Sequence, residues 1–248
     1  MAVIEASALT KRYGETAAVR GLDLTVERGT IYGFLGPNGA GKTSTMRMLT
    51  GLTRPTDGSA TVDGVDVRDR DELGGHIGYA PDEPPLYEKL TAREQLTAVA
   101  DVRGLDPEIK AERVPALIDR FELDAADDRI ETYSKGMKQK TSVVQAVLHR
   151  PAVVFLDEPT GGLDPNAART LKQLLVELRE GETTVFLSTH ILPVVEELAD
   201  TVGLLYDGRL LAEDDPEALQ RRLAGDSLED AFVELTTDRA AADAAGGR

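Results

Sequence analysis

The sequence predicts an α/β fold with a mainly parallel core sheet, an antiparallel β subdomain and an inserted α-helical subdomain. Three observations predict it. Ala152-Val153-Val154-Phe155-Leu156 and Thr184-Val185-Phe186-Leu187-Ser188 are continuous apolar runs of strand length, the pattern of parallel strands covered on both faces. Residues 91–150 are charged, helically patterned and nearly free of strand runs. The first third of the chain instead reads as short strands separated by turn residues.

Taken in order, Leu22, Leu24 and Val26 alternate with polar residues, and Thr61-Val62 and Val65-Asp66-Val67 flank an Asp63-Gly64 hairpin turn. Ile31-Tyr32-Gly33-Phe34-Leu35 is a buried strand that runs into a glycine loop, and a helix over 43–52 follows, ended by Gly51 and Pro55. Ile77-Gly78-Tyr79-Ala80 is a short strand stopped by Pro81, Pro84 and Pro85. Thr91-Ala92-Arg93-Glu94 is a capping box that opens the helical region. Between the two apolar runs, residues 166–179 carry helical spacing at Ala167, Leu171, Leu174, Leu175 and Leu178. A last hairpin is expected around Asp207-Gly208, joining 202–206 to 209–212. Residues 227–236 place Leu228, Ala231, Phe232 and Leu235 on one helical stripe, and the tail from Thr237 reads as loose. The domains expected are an α/β core with its β subdomain (1–85 and 151–215), a helical subdomain (86–150) and a C-terminal helical segment with a loose tail (216–248).

With 248 residues the chain can bury a sizeable core, and with no cysteine it has neither disulfides nor thiolate chemistry. No apolar stretch is long enough to span a bilayer, and the start lacks a basic region followed by an apolar block, so a cytoplasmic location is expected. A net charge of −16 opposes broad binding to nucleic acid, and no nucleic-acid partner is expected. The basic residues divide into 20 Arg and 8 Lys. That balance suits a high-salt cytoplasm, where salt screens carboxylate repulsion, and a GC-rich genome is the other origin open to it.

Gly36-Pro37-Asn38-Gly39-Ala40-Gly41-Lys42-Thr43 is a full phosphate-loop match. A triphosphate concentrates about four negative charges, so it needs inward-pointing N–H groups, unobstructed backbone and a helix N-terminus. Gly36, Gly39 and Gly41 allow that approach, Lys42 neutralises the β- and γ-phosphates, and Thr43 ligates Mg²⁺. Asp157 and Glu158 close an apolar strand and fall at the carboxyl edge of the sheet, where open α/β sheets bind ligands. Asp157 is the expected Mg²⁺ holder and Glu158 the expected general base toward the attacking water. His190 ends the next strand, where an imidazole donates to the γ-phosphate. The fold class is thus a phosphate-loop NTPase binding ATP with Mg²⁺.

Tyr133-Ser134-Lys135-Gly136-Met137, ahead of Asp157-Glu158, resembles the signature loop of the ATP-binding cassette (ABC) ATPases, usually Leu-Ser-Gly-Gly-Gln. It keeps the Ser and the second Gly and departs at the other three positions. The resemblance runs along most of the chain. It implies that Ser44 reaches the α-phosphate and that Ser134 and Gly136 contact the γ-phosphate held by a partner subunit. It further implies that Asp164, in Gly162-Leu163-Asp164-Pro165, communicates across that dimer, and that Tyr13 stacks on adenine. Asp82 stands where the family has a Gln. It is a candidate metal ligand, but it is shorter and charged, and without the metal it would repel the γ-phosphate. Residues 190–203 and 227–236 resemble ATPase subunits of type-2 exporters, including the drug-resistance branch. The implied protein is a peripheral subunit on the inner face of the membrane. It would dimerise around two ATP, as a homodimer or with a second cassette, and drive a separate permease. An importer subunit and a cassette with a soluble partner are the alternatives. A small kinase or GTPase is disfavoured because no Asn-Lys-x-Asp motif occurs.

Overall fold

Two sheets organise the computed structural model, which describes residues 1–222. The antiparallel sheet has the order β2-β1-β4-β5, from β1 (Ala2–Tyr13), β2 (Thr16–Glu27), β4 (Asp57–Val62) and β5 (Val65–Asp66). The six-stranded sheet has the order β10-β9-β3-β8-β7-β6, from β3 (Ile31–Leu35), β6 (Ile77–Ala80), β7 (Val153–Asp157), β8 (Thr184–Thr189), β9 (Thr201–Tyr206) and β10 (Arg209–Asp214). All its pairings are parallel except β9 with β10.

The apolar runs are covered on both faces, and successive residues go to opposite sides. Val154, Leu156, Val185 and Leu187 join one hydrophobic cluster with Leu96, Val114, Ile118 and Val144 of the helices. Val153, Phe155 and Phe186 join another with Ile4, Leu22, Leu24 and Val62 of the antiparallel sheet. Phe186 is the hub there, with the Tyr32, Phe34 and Phe155 rings at 5.2, 5.2 and 5.5 Å, within the range of favourable aromatic pairs.

The helices are α1 (Lys42–Leu49), α2 (Arg70–His76), α3 (Ala92–Val102), α4 (Pro107–Arg120), α5 (Lys135–Val147), α6 (Pro165–Glu180), α7 (Leu192–Leu198) and α8 (Pro216–Arg222). A capping box opens α3: the Thr91 hydroxyl accepts from the Glu94 N–H while the Glu94 carboxylate accepts from the Thr91 N–H. No helix among the described residues is long and apolar enough to cross a membrane.

Two expectations are corrected. The first third contains two 12-residue strands, β1 and β2, rather than only short ones, because register shifts absorb the breaks in alternation. Helix α1 stops at Leu49, not at residue 52: the Thr50 hydroxyl bonds back to the Met46 carbonyl, and Gly51 turns left-handed at φ 69°. The expected helix over 227–236 and the tail from Thr237 lie outside the described residues.

Candidate active site

Parallel pairing brings the carboxyl ends of four strands to one edge. Ala80 pairs with Leu156, Asp157 with Ser188, and Leu35 with Thr189. The residues just beyond these strand ends therefore converge: the phosphate loop, Asp82, Asp157-Glu158 and His190. A cleft of about 400 Å³ opens there, lined by Tyr13, Ala18, residues of the phosphate loop, Asp82, Asp157 and Glu158. Pro37, Asn38, Gly39, Gly41, Lys42, Thr43 and Ser44 all face it.

Within the loop the glycines have different reasons. A Cβ on Gly36 would come within 2.4 Å of the Leu205 carbonyl, and one on Gly41 within 2.4 Å of the Ala18 carbonyl. Both are required by the protein's own packing, whereas Gly39, at φ 82°, has open space beside it toward the cleft. Ala40 is buried, and its carbonyl accepts from the Gly208 N–H.

Lys42 is buried, and its ammonium donates to the Gly36 carbonyl at 2.7 Å and the Pro37 carbonyl at 3.3 Å, with Glu158 Oε1 at 3.5 Å. A buried cation held by neutral carbonyls and one carboxylate is suited to exchange them for phosphate oxygens. Thr43 Oγ1 donates to Asp157 Oδ2 at 2.9 Å, and Ser188 Oγ donates to Asp157 Oδ1. This hard-oxygen set fits a divalent cation that keeps waters and phosphate among its ligands.

Glu158 sits at φ 49°, a conformation that a non-glycine residue holds only when its surroundings impose it. Its N–H donates to the Ser188 carbonyl, Thr189 Oγ1 donates to Oε2 at 3.0 Å, and His190 Nδ1 lies 3.0 Å from Oε1. The carboxylate therefore points along the phosphate edge between Lys42 and His190. Ser188 and Thr189 join the candidate site through these hydrogen bonds, a part that sequence reading missed. The available signal was two hydroxyl residues following the apolar Val185-Phe186-Leu187 at the sheet's carboxyl edge.

Ser134, Gly136 and Asp164 lie apart from the cleft lining, whereas Tyr13 and Asp82 belong to it. Ser134 is the N-cap of α5, its hydroxyl accepting from the Met137 N–H at 3.2 Å. Asp164 caps α6, accepting from the Asn166 and Ala167 N–H groups at 3.0 Å each, and the Ala167 bond is the main cause holding its carboxyl below the ordinary aspartate value. Gly136 abuts the Gly162 carbonyl. Tyr13 is 49 % exposed at the cleft rim, with the Lys11 ammonium 5.1 Å from its ring centroid. Asp82 faces the cleft and forms an ion pair with Lys135. Burial, and then the Asp157 charge, push the neighbouring Tyr79 hydroxyl up to about 12.

The ABC transporter family model matches residues 19–161, more than half of the chain. The chain is 38 % identical over 223 residues to the bacitracin transport ATP-binding protein of Bacillus licheniformis, covering 89 % of this chain and 72 % of that one. It is 39 % identical over 228 residues to the daunorubicin resistance ATP-binding protein of Streptomyces coeruleorubidus, covering 91 % and 71 %. Among solved structures, an ATP-binding subunit of an ABC transporter superposes with a TM-score of 0.88 at 33 % identity, covering 94 % of this chain and 99 % of that one. A dimeric bacterial ABC transporter cassette superposes with a TM-score of 0.79 at 26 % identity, covering 86 % and 98 %. With phosphate loop, strand-end carboxylates and signature loop in this order on this fold, the chain belongs to the ABC transporter family as its ATP-binding, ATP-hydrolysing subunit.

Proposed function

We propose that two cassettes, two copies of this chain or one with a second cassette, close around two Mg²⁺-ATP and that their closing and reopening drives a separate permease in an export system. The observation that carries the reading is the shared edge at which Lys42, Thr43, Asp157, Glu158 and His190 meet. The relatives named for bacitracin transport and daunorubicin resistance favour export of a toxic small molecule over import.

Each residue then has a task. The N–H groups of residues 36–41 and the start of α1 receive the phosphates, with Ser44 reaching the α-phosphate. Lys42 leaves its loop carbonyls for the β- and γ-phosphates. Thr43 and Asp157 hold Mg²⁺, with Ser188 orienting Asp157, and the metal supplies charge neutralisation at the phosphates. Glu158, steered by Thr189, accepts the proton of the attacking water, and His190 donates to the γ-phosphate. Tyr13 offers a ring face to adenine. Ser134 and Gly136 present the α5 N-terminus to the partner's phosphate, and Asp164 lies at the same dimer face. Residues 1–85 with 151–215 act as the catalytic core and 86–150 as the lever toward the permease. Closure follows from tighter binding of ATP than of ADP by the dimer, because only differential affinity moves such an equilibrium.

Glu158→Gln tests the mechanism. The phosphate contacts remain, so ATP binding persists, while turnover falls by about 100-fold or more and a dimer accumulates by light scattering. Near-normal turnover removes Glu158 from the mechanism. Solubilising host membranes with ATP and the Glu158→Gln protein present tests the partner: a stoichiometric multi-spanning protein is expected, and an exclusively soluble partner excludes the exporter reading.

A further inference from the structure

Asp82 brings a carboxylate to a cleft read as a triphosphate site, where a free negative charge is adverse. Its Oδ1 lies 3.2 Å from Lys135 Nζ, and both side chains are about half exposed. Lys135 is the first residue of α5, inside the loop that carries Ser134 and Gly136, far from Asp82 in sequence. Its side chain runs along the loop before α6. The Lys135 stem lies over Gly162, where a Cβ would meet Lys135 Cδ at 3.1 Å and Cγ at 3.3 Å. A Cβ on Gly161 would lie 3.8 Å from Asp82 Oδ1 and 3.9 Å from Lys135 Nζ. Gly162 thus gives the lysine stem room, and Gly161 lies beside the ion pair, as one lysine reaches from α5, across the loop before α6, to the loop after β6.

An ion pair this exposed contributes little to folding stability. Its consequence is electrostatic. With Lys135 in place the Asp82–Lys135 unit is close to neutral toward the phosphates, and without it a carboxylate faces them uncompensated.

We propose that Lys135 is a positioning residue for nucleotide binding in its own subunit: it is the counter-ion of Asp82, and the two side chains act as one neutral unit at the phosphate edge of the cleft. The unit draws the Asp82 carboxylate toward α5 and couples the loop after β6 to the signature loop, so that a nucleotide contact at one is felt at the other. The proposal rests on the reading of the cleft as a triphosphate site.

A double-mutant cycle on the full chain tests it, using equilibrium binding of a fluorescent ATP analogue with and without Mg²⁺, at low and high salt. Lys135→Met should weaken metal-free binding by roughly three- to ten-fold at low salt, less with Mg²⁺ and less at high salt, because metal and salt both screen the exposed carboxylate. Asp82→Asn in the Lys135→Met background should return affinity to within about two-fold of Asp82→Asn alone, and Lys135→Arg should bind like the parent. A loss of equal size in both backgrounds, or one insensitive to metal and salt, overturns the proposal. Failure of the unsubstituted chain to bind the analogue overturns the nucleotide reading itself, an outcome distinct from zero coupling.

Discussion

Asp157 is 2 % exposed, and its two oxygens accept from Thr43 and Ser188. A buried carboxylate is tolerated only while its lone pairs are met, so Ser188→Ala is expected to cost about 1.5–3 kcal/mol of unfolding free energy. Denaturant titration reads that loss, and the Mg²⁺ dependence of ATPase activity should shift with it. His149 is a second residue whose environment decides its behaviour. Burial, then the Arg103 charge, push its imidazole from 6.5 down to about 4, although its hydrogen bond to the Ile77 carbonyl favours the charged form. The unfolded chain takes up this proton first as pH falls. Stability from a neutral His149 is therefore complete above pH 6.5 and is lost as pH drops from 6.5 toward 4. Discounted for partial solvent access, the loss is on the order of 1–3 kcal/mol. His149→Gln should flatten the pH dependence of the melting temperature across that window, and an unchanged slope assigns the loss to carboxylates instead. Nothing in the His149 sequence neighbourhood announces this, because the cause is its burial and the charge of Arg103, a residue remote in sequence.

Of the close approaches at glycines among the described residues, that of β6 to α5 is the tightest. A Cβ on Gly78 would stand 2.0 Å from the Ala146 carbonyl oxygen, a contact that backbone cannot yield without moving the helix. Gly78→Ala is expected to destabilise by about 3 kcal/mol or more, at the upper end of overpacking costs. Because α5 begins at the signature loop, ATPase activity should fall below what the lost stability alone produces; a thermal shift of under about 1 °C removes the close-approach argument. The cap of α3 was legible in the chain: Thr91-Ala92-Arg93-Glu94 forms its capping box. Strand length was not legible, since β1 continues past Ala8, at φ 49°, through shifts in register that no alternation pattern records. Gly78 read as an ordinary strand residue because its constraint comes from a helix more than 60 positions away.

Across the whole molecule, the net charge of −16 with only 8 Lys predicts self-repulsion that salt relieves. If the acidity is an adaptation to high salt, the melting temperature and ATPase activity should both rise from dilute buffer to molar KCl. Equal stability in dilute buffer assigns the composition to codon usage instead. Composition, periodicity and motif order by themselves determined the α/β class, the strand–loop–helix unit around Lys42 and the helical insertion before β7, while the family entered as a resemblance carried by the signature loop. They did so because buried strands, glycine loops and caps are local patterns that chemistry dictates over a few residues. Tertiary structure alone decided that Ser188 and Thr189 steer the two carboxylates, that Gly36 and Gly41 answer to the Leu205 and Ala18 carbonyls, and that Lys135 reaches Asp82. These are contacts between chain segments remote in sequence, set by strand register and helix packing, and no local pattern carries their distances.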